Sequence, residues 1–182
     1  MCHYITELLP ETVDPSIYNE CFKPLGRQLT PIDNPSIMAQ VGRGYCYYCG
    51  TACRCDCGTT IGSLNVKMQR KIALNDEIKK LRRKKWSEHK IGAWLTEKAK
   101  ANEKLEREQP ATTSKEAEQW VECIARFLDR SKGGRIGLLL HLYDRSLESR
   151  ITLKGFQEIR LGDLTPEKLM RIAEDRVYWI TS

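Results

Sequence analysis

Apolar positions along this 182-residue chain change period several times, and each change marks an element. Residues 2–9 read as a strand that stops at Pro10. Asp14-Pro15 places an N-cap before a proline at the first helical position. The helix that follows carries Ile17, Cys21, Phe22 and Leu25 and is closed by Pro24 and Gly26. Residues 27–32 and 37–41 read as short extended pieces, with a turn at Asp33-Asn34-Pro35 between them. Residues 45–48 form a further strand that feeds a cysteine-rich loop.

Residues 63–109 contain no proline and only Gly92 as glycine, and they are rich in Lys, Arg, Glu, Ala and Leu, which favour helix. Leu64, Met68, Ile72, Leu74, Ile78 and Leu81 form a loose apolar stripe, and Lys71 and Asn75 keep it from being a heptad seam. At Trp86-Ser87 the phase resets, with Ser87 as a cap and Ile91, Trp94, Leu95 and Ala99 as a new face. The pattern predicts one long helix with a break, or a helical hairpin. Past Pro110, Thr113 and Glu116 have capping-box spacing and open a helix to about residue 130 with Trp120, Val121, Ile124, Phe127 and Leu128 on one face. Gly133-Gly134 ends it. Ile136, Leu138, Leu140 and Leu142 alternate as a strand, and Ile151, Leu153, Ile159 and Leu161 read as its antiparallel partner, bulged near Gly155-Phe156. Thr165-Pro166 starts a helix through Leu169, Ile172 and Ala173, and residues 177–180 form a last strand.

The expected fold is therefore α+β in three regions. Residues 1–62 are a small mixed region with a Cys-rich metal loop. Residues 63–110 are a helical arm, and residues 111–182 are a helix–β-hairpin–helix–strand unit packing with the first region. Apolar content in the first sixty residues is thin, so a metal clip is expected to help hold it.

Charge changes the picture at one place. Between Lys67 and Arg107 stand 14 Lys or Arg against 6 Asp or Glu, a balance of +8; the rest of the chain carries 16 against 18, a balance of −2. The net +6 thus belongs to the arm. Its strongest patch is Lys79, Lys80, Arg82, Arg83, Lys84 and Lys85, with Trp86 beside it. Such a patch can contact phosphates while the indole stacks on a base, or it can meet an acidic protein partner, or it can be a solvated helix face. No nucleic-acid-binding motif surrounds it.

The candidate chemistry is concentrated in cysteine. Five of the eight cysteines (Cys46, Cys49, Cys53, Cys55 and Cys57) fall within a dozen positions, and Cys2 stands beside His3. Core packing does not explain such clustering. The N-terminus lacks a basic segment followed by a long apolar one, and no run is long enough to span a membrane, so a cytoplasmic location is expected. In a reducing compartment, clustered cysteines point to metal rather than disulfides. Zinc is the expected ion, in a structural role, because it favours four N or S ligands. An iron–sulfur cluster also takes four thiolates, but no ferredoxin spacing is present. The expected ligands are Cys46, Cys49, Cys55 and Cys57. Cys2, His3 and Cys53 are alternatives, in particular an arrangement that recruits Cys2 and His3 to Cys55 and Cys57. Cys21 and Cys123 fall on amphipathic faces and are expected in the core. His141 lies in an apolar strand and is expected to be a satisfied core histidine.

The catalytic alternative is Cys2, which loss of Met1 would expose as an N-terminal nucleophile. The Met-Cys start resembles class II glutamine amidotransferases, but His3 stands where that family has glycine. No other catalytic set is visible, so a non-catalytic binding protein is expected. The segments Met1-Cys2-His3-Tyr4-Ile5, Cys55-Asp56-Cys57-Gly58-Thr59, Leu140-His141-Leu142-Tyr143 and Asp163-Leu164-Thr165-Pro166 resemble a group of small bacterial proteins, some of which accompany Rhs-type polymorphic toxins. The resemblance implies an immunity protein that binds and neutralises a cognate toxin. Inhibitors of basic nucleases tend to be acidic and this chain is basic, so the implied toxin is another kind of enzyme, such as a transferase acting on a protein. The alternative is a zinc-dependent nucleic-acid-binding protein that uses the arm.

Overall fold

A computed structural model describes residues 2–51, 55–57, 59–62, 74–108, 114–132, 134–144 and 146–182. The elements are β1 (Cys2–Pro10), α1 (Pro15–Cys21), β2 (Thr30–Pro31), α2 (Pro35–Val41), β3 (Tyr45–Cys49), α3 (helical residues 74–83), α4 (Glu88–Glu108), α5 (Ser114–Arg130), β4 (Ile136–Tyr143), β5 (Gly155–Arg160), α6 (Pro166–Met170) and β6 (Arg176–Thr181). The fold is α+β. Its centre is one six-stranded sheet in the order β2-β3-β1-β4-β6-β5. β1 lies between β3 and β4 and is antiparallel to both, so the N-terminal and C-terminal regions share a single sheet.

Alternation along the strands sorts side chains onto two covered faces. Ile5, Leu9, Tyr48, Leu138 and Leu140 pack with Tyr18 and Phe22 near α1 and with Trp120, Ile124 and Phe127 of α5. Leu8, Tyr47, Leu139, Tyr143, Val177 and Trp179 pack with Ile37 and Met38 of α2 and with Leu147, Ile151 and Leu153. Cys21 and Cys123 lie in the first of these cores, as expected.

Two sequence expectations are corrected. Residues 37–41 are helical rather than extended. Asn34 caps α2 by accepting from Ile37 N–H at 3.1 Å, and Pro35 holds the first helical position. Asn34 is fully buried, and its amide also donates to Leu147 O at 2.9 Å and Ser149 O at 3.0 Å. In so short a run, Ile37 and Val41 fit a helical spacing as well as an extended one, and the cap decides. Residues 27–32 contribute only the two-residue β2.

The second correction concerns β4 and β5, which do not form a hairpin. β6 takes the edge of β4, antiparallel, and β5 pairs with β6 in parallel on its far side. The reason is burial. Val177, Tyr178, Trp179 and Ile180 are all buried, so β6 needs cover on both faces, whereas β5 exposes Phe156, Gln157, Glu158 and Arg160 and suits an edge. Ile151 lies outside β5 and covers the second face.

The arm is a helical hairpin. α3 ends in a Schellman motif: Trp86 N–H donates to Leu81 O and Lys85 N–H to Arg82 O, with Lys85 left-handed at φ 59°. Ser87 then caps α4 by accepting from Lys90 N–H at 3.3 Å. Glu77 pairs with Lys98 across the two helices, and Ile91 is buried. Leu64, Met68, Ile72, Thr113 and Gly133 lie outside the described residues.

Candidate metal centre

The site begins where β3 stops. β3 pairs with β1 only from Pro10 back to Thr6, where Cys49 is the last partner, which among the described residues leaves that backbone edge of residues 3–5 without a strand. Residues 55–57 fill that edge. Asp56 N–H donates to His3 O at 2.8 Å, His3 N–H donates to Cys57 Sγ at 3.2 Å, and Ile5 N–H donates to Asp56 Oδ2 at 2.8 Å. The Asp56 side chain turns into the interior, 3% exposed, while its neighbours Cys55 and Cys57 stay half-buried and exposed beside Cys2. The result is a thiol cluster: the sulfurs of Cys2, Cys55 and Cys57 all lie within 4.8 Å of one another.

Four thiolates at about 2.3 Å around a tetrahedral zinc stand about 3.8 Å apart, so a small closing movement suits this triad to an ion. Three soft sulfur donors match zinc or another thiophilic cation far better than calcium or magnesium. Cys57 is exposed and Cys2 and Cys55 are half-buried, so an ion has access from solvent. The thiols are poised unequally. The Cys57 N–H donates to Cys55 and lowers its pKa, while partial burial and the neighbouring thiols raise that of Cys57. A cation is what allows all three to ionise side by side.

Of the expected ligands, Cys55 and Cys57 join the cluster, and Cys2 enters from the alternative set. Cys46 and Cys49 do not. Three positions apart on one strand, they point to opposite faces: Cys46 packs against the core beneath α1 and α5, and the Cys49 thiol donates to Thr51 Oγ1 at 3.4 Å. His3 points away from Cys2 for the same reason, and its Nε2 meets Glu174 Oε1 at 2.6 Å. Cys53 lies outside the described residues. His141 is satisfied by Asp175 through Nδ1.

Beneath the cluster lies a buried charge network. Arg27 is 4% exposed, Asp56 3% and Glu7 fully buried. Arg27 Nη1 donates to Asp56 Oδ1 at 2.8 Å, and Nη2 donates to Ile5 O and to Glu7 Oε1, both at 3.1 Å. Its Nε faces Tyr18 Oη at 3.4 Å, and its guanidinium lies 4.6 Å over Trp120. Tyr18 donates to Glu7 Oε1 at 2.7 Å. Glu7 Oε2 has no hydrogen-bond partner among the described residues. Burial raises the Glu7 pKa to about 7 despite Arg27 and Tyr18, which pull it back. Gly50 permits the close approach: a Cβ there would stand 2.6 Å from Glu7 Oε1. Sequence reading missed Arg27, Glu7 and Asp56. The available signals were a glutamate between Ile5 and Leu8 in an apolar strand, and an aspartate whose direction is fixed by cysteines on both sides.

The basic patch sits at the tip of the arm. Lys79, Lys80, Arg82, Arg83, Lys84 and Lys85 are all exposed. Lys79 pairs with Asp76 at 3.2 Å, and Arg82 forms a fork on Glu88 at 2.9 and 3.1 Å. Trp86 is half-buried with Lys90 Nζ 4.2 Å over its ring, so that face already holds a cation. Among the described residues, no helix is long and apolar enough to cross a membrane. Compared with known proteins, the chain matches no family model, no curated protein and no solved structure.

Proposed function

We propose that this chain is a non-catalytic, cytoplasmic, zinc-stabilised binding protein that neutralises a partner protein, as an immunity protein does for an antibacterial toxin. The observation that carries the metal part is the convergence of Cys2, Cys55 and Cys57. These residues would hold the ion, with the fourth position completed by solvent or by a further donor. Bound zinc would supply a cross-link between the start of β1 and the loop after β3, and no redox chemistry. The binding part rests on the arm, which presents six exposed cations at one tip. A protein partner is favoured over nucleic acid because the Trp86 face is covered by Lys90 and Arg82 is engaged by Glu88, which removes a stacking platform and one phosphate contact.

The test replaces Arg82, Arg83, Lys84 and Lys85 together with Ser. Zero-length carbodiimide cross-linking in extract of the native cells is expected to join the wild-type arm to an acidic protein and to fail with the variant. The same chain is titrated with mixed-sequence DNA and RNA at 50 and 200 mM salt. Nucleic-acid binding that weakens on the order of a hundredfold across that range and disappears in the variant would replace the protein reading.

A further inference from the structure

We infer that Asp56, locked in place by Arg27, is the positioning residue of the thiol cluster and holds Cys55 and Cys57 against Cys2 in the metal-free chain. The purpose of the cluster rests on the metal reading above; its assembly does not.

Residues 55–57 are fixed by bonds that involve no ion. The Asp56 carboxylate accepts from Ile5 N–H at 2.8 Å, from Arg27 Nη1 at 2.8 Å and from Thr51 Oγ1 at 2.6 Å. Its backbone N–H is spent on His3 O. Three of these four anchors lead directly or through Arg27 to β1, the strand that carries Cys2: Ile5 and His3 belong to it, and Arg27 is itself bonded to Ile5 O and Glu7. Asp56 and Arg27 are both almost fully enclosed, so water does not compete for their charges. With Asp56 directed inward, the sulfurs of its two neighbours lie with that of Cys2, all within 4.8 Å of one another. A zinc-finger loop is ordered by its ion. Residues 55–57 are held by a buried aspartate, so an ion would meet ligands already in place.

The experiment uses the full chain freed of metal. Dibromobimane becomes fluorescent when it bridges two thiols a few ångströms apart, and peptide mapping then locates the bridge. Wild type is expected to bridge Cys2 to Cys55 or Cys57 rapidly. Asp56→Asn is expected to slow that bridge and to weaken zinc affinity, each by about 10- to 100-fold, the usual effect of removing a group that orients a metal ligand. Thr51→Val deletes only one of the three carboxylate contacts and is expected to cost about fivefold, the equivalent of one hydrogen bond. Thr51 is half-buried, so that variant keeps the question answerable if Asp56→Asn does not fold. A residue that merely stabilised the fold would shift the urea midpoint yet leave the native-state bridging rate and the zinc affinity alone. Wild-type bridging and affinity in the folded variants would overturn the inference. If wild type binds no zinc but bridging still depends on Asp56, the positioning role stands and the metal reading falls.

Discussion

Replacing Arg27 with Met tests the energetics beneath the site. The substitution removes the cation and keeps an apolar stem against Trp120. It leaves two carboxylates in the interior. Asp56 retains Ile5 N–H and Thr51 Oγ1 as donors, and Glu7 retains Tyr18. Breaking a buried ion pair by deleting one partner costs about 3–5 kcal/mol, because the remaining charge is uncompensated. That is a large share of the roughly 5–15 kcal/mol that stabilises a domain. The loss should depend on pH, and its sign follows from Glu7. Burial raises the folded pKa of Glu7 to about 7 from the ordinary 4.5 of a glutamate, so the folded chain holds this proton more tightly than the unfolded chain does. Stability from this group is complete below pH 4.5 and declines as pH rises to about 7, by about 3 kcal/mol in total. Arg27 pulls the Glu7 pKa down, so its removal lets the pKa rise further. In Arg27→Met, Glu7 is then neutral at pH 6 and ionises, at a cost, above pH 7. Urea unfolding of the metal-free chain, followed by tryptophan fluorescence at pH 6 and pH 8.5, should show a larger loss at the higher pH. A loss under about 1 kcal/mol, or an equal loss at both pH values, would refute the buried network as a set of interacting charges.

Three further outcomes follow from the same geometry. Ser at Cys2, Cys55 or Cys57 should abolish tight zinc binding, whereas Ser at Cys46 or Cys49 should leave the metal content of the purified chain unchanged by mass spectrometry. Lys85→Gly should raise the thermal midpoint of the arm, seen in the helical circular-dichroism signal, by relieving about 1 kcal/mol of left-handed backbone cost at φ 59°. Asn34→Ala should destabilise the chain by about 2 kcal/mol in urea, since it removes the cap of α2 and leaves Leu147 O and Ser149 O without the amide that serves them.

Elements with strong punctuation were legible in the sequence. Asp14-Pro15 and Thr165-Pro166 each start a helix, with the Asp14 and Thr165 side chains accepting from the first turn. The phase reset at Trp86-Ser87 marks the turn of the arm. What was not legible needed partners distant in sequence. Whether β4 pairs with β5 or with β6 depends on which strand is buried on both faces, and the alternation in each run does not rank them. Asn34-Pro35 has the same cap chemistry as Asp14-Pro15, but the six residues that follow to Val41 are too few to show a period. The cluster was half visible: the Cys-x-Cys spacing keeps Cys55 and Cys57 near one another, and alternation excludes Cys46 with Cys49 once both are placed on one strand. Selecting Cys2 over His3 required knowing which edge of β1 the loop occupies. Arg27 gave no local sign of its role, because its partners Glu7 and Asp56 lie 20 and 29 positions away.

The most direct measurement is elemental analysis of the purified chain by plasma mass spectrometry, with thiols titrated on the same sample before and after chelation. The expected result is about one zinc per chain, and three thiols, mapped to Cys2, Cys55 and Cys57, that react only after the chelator is added. A chain without stoichiometric metal, in which those three thiols react equally fast with and without chelator, would contradict the metal centre.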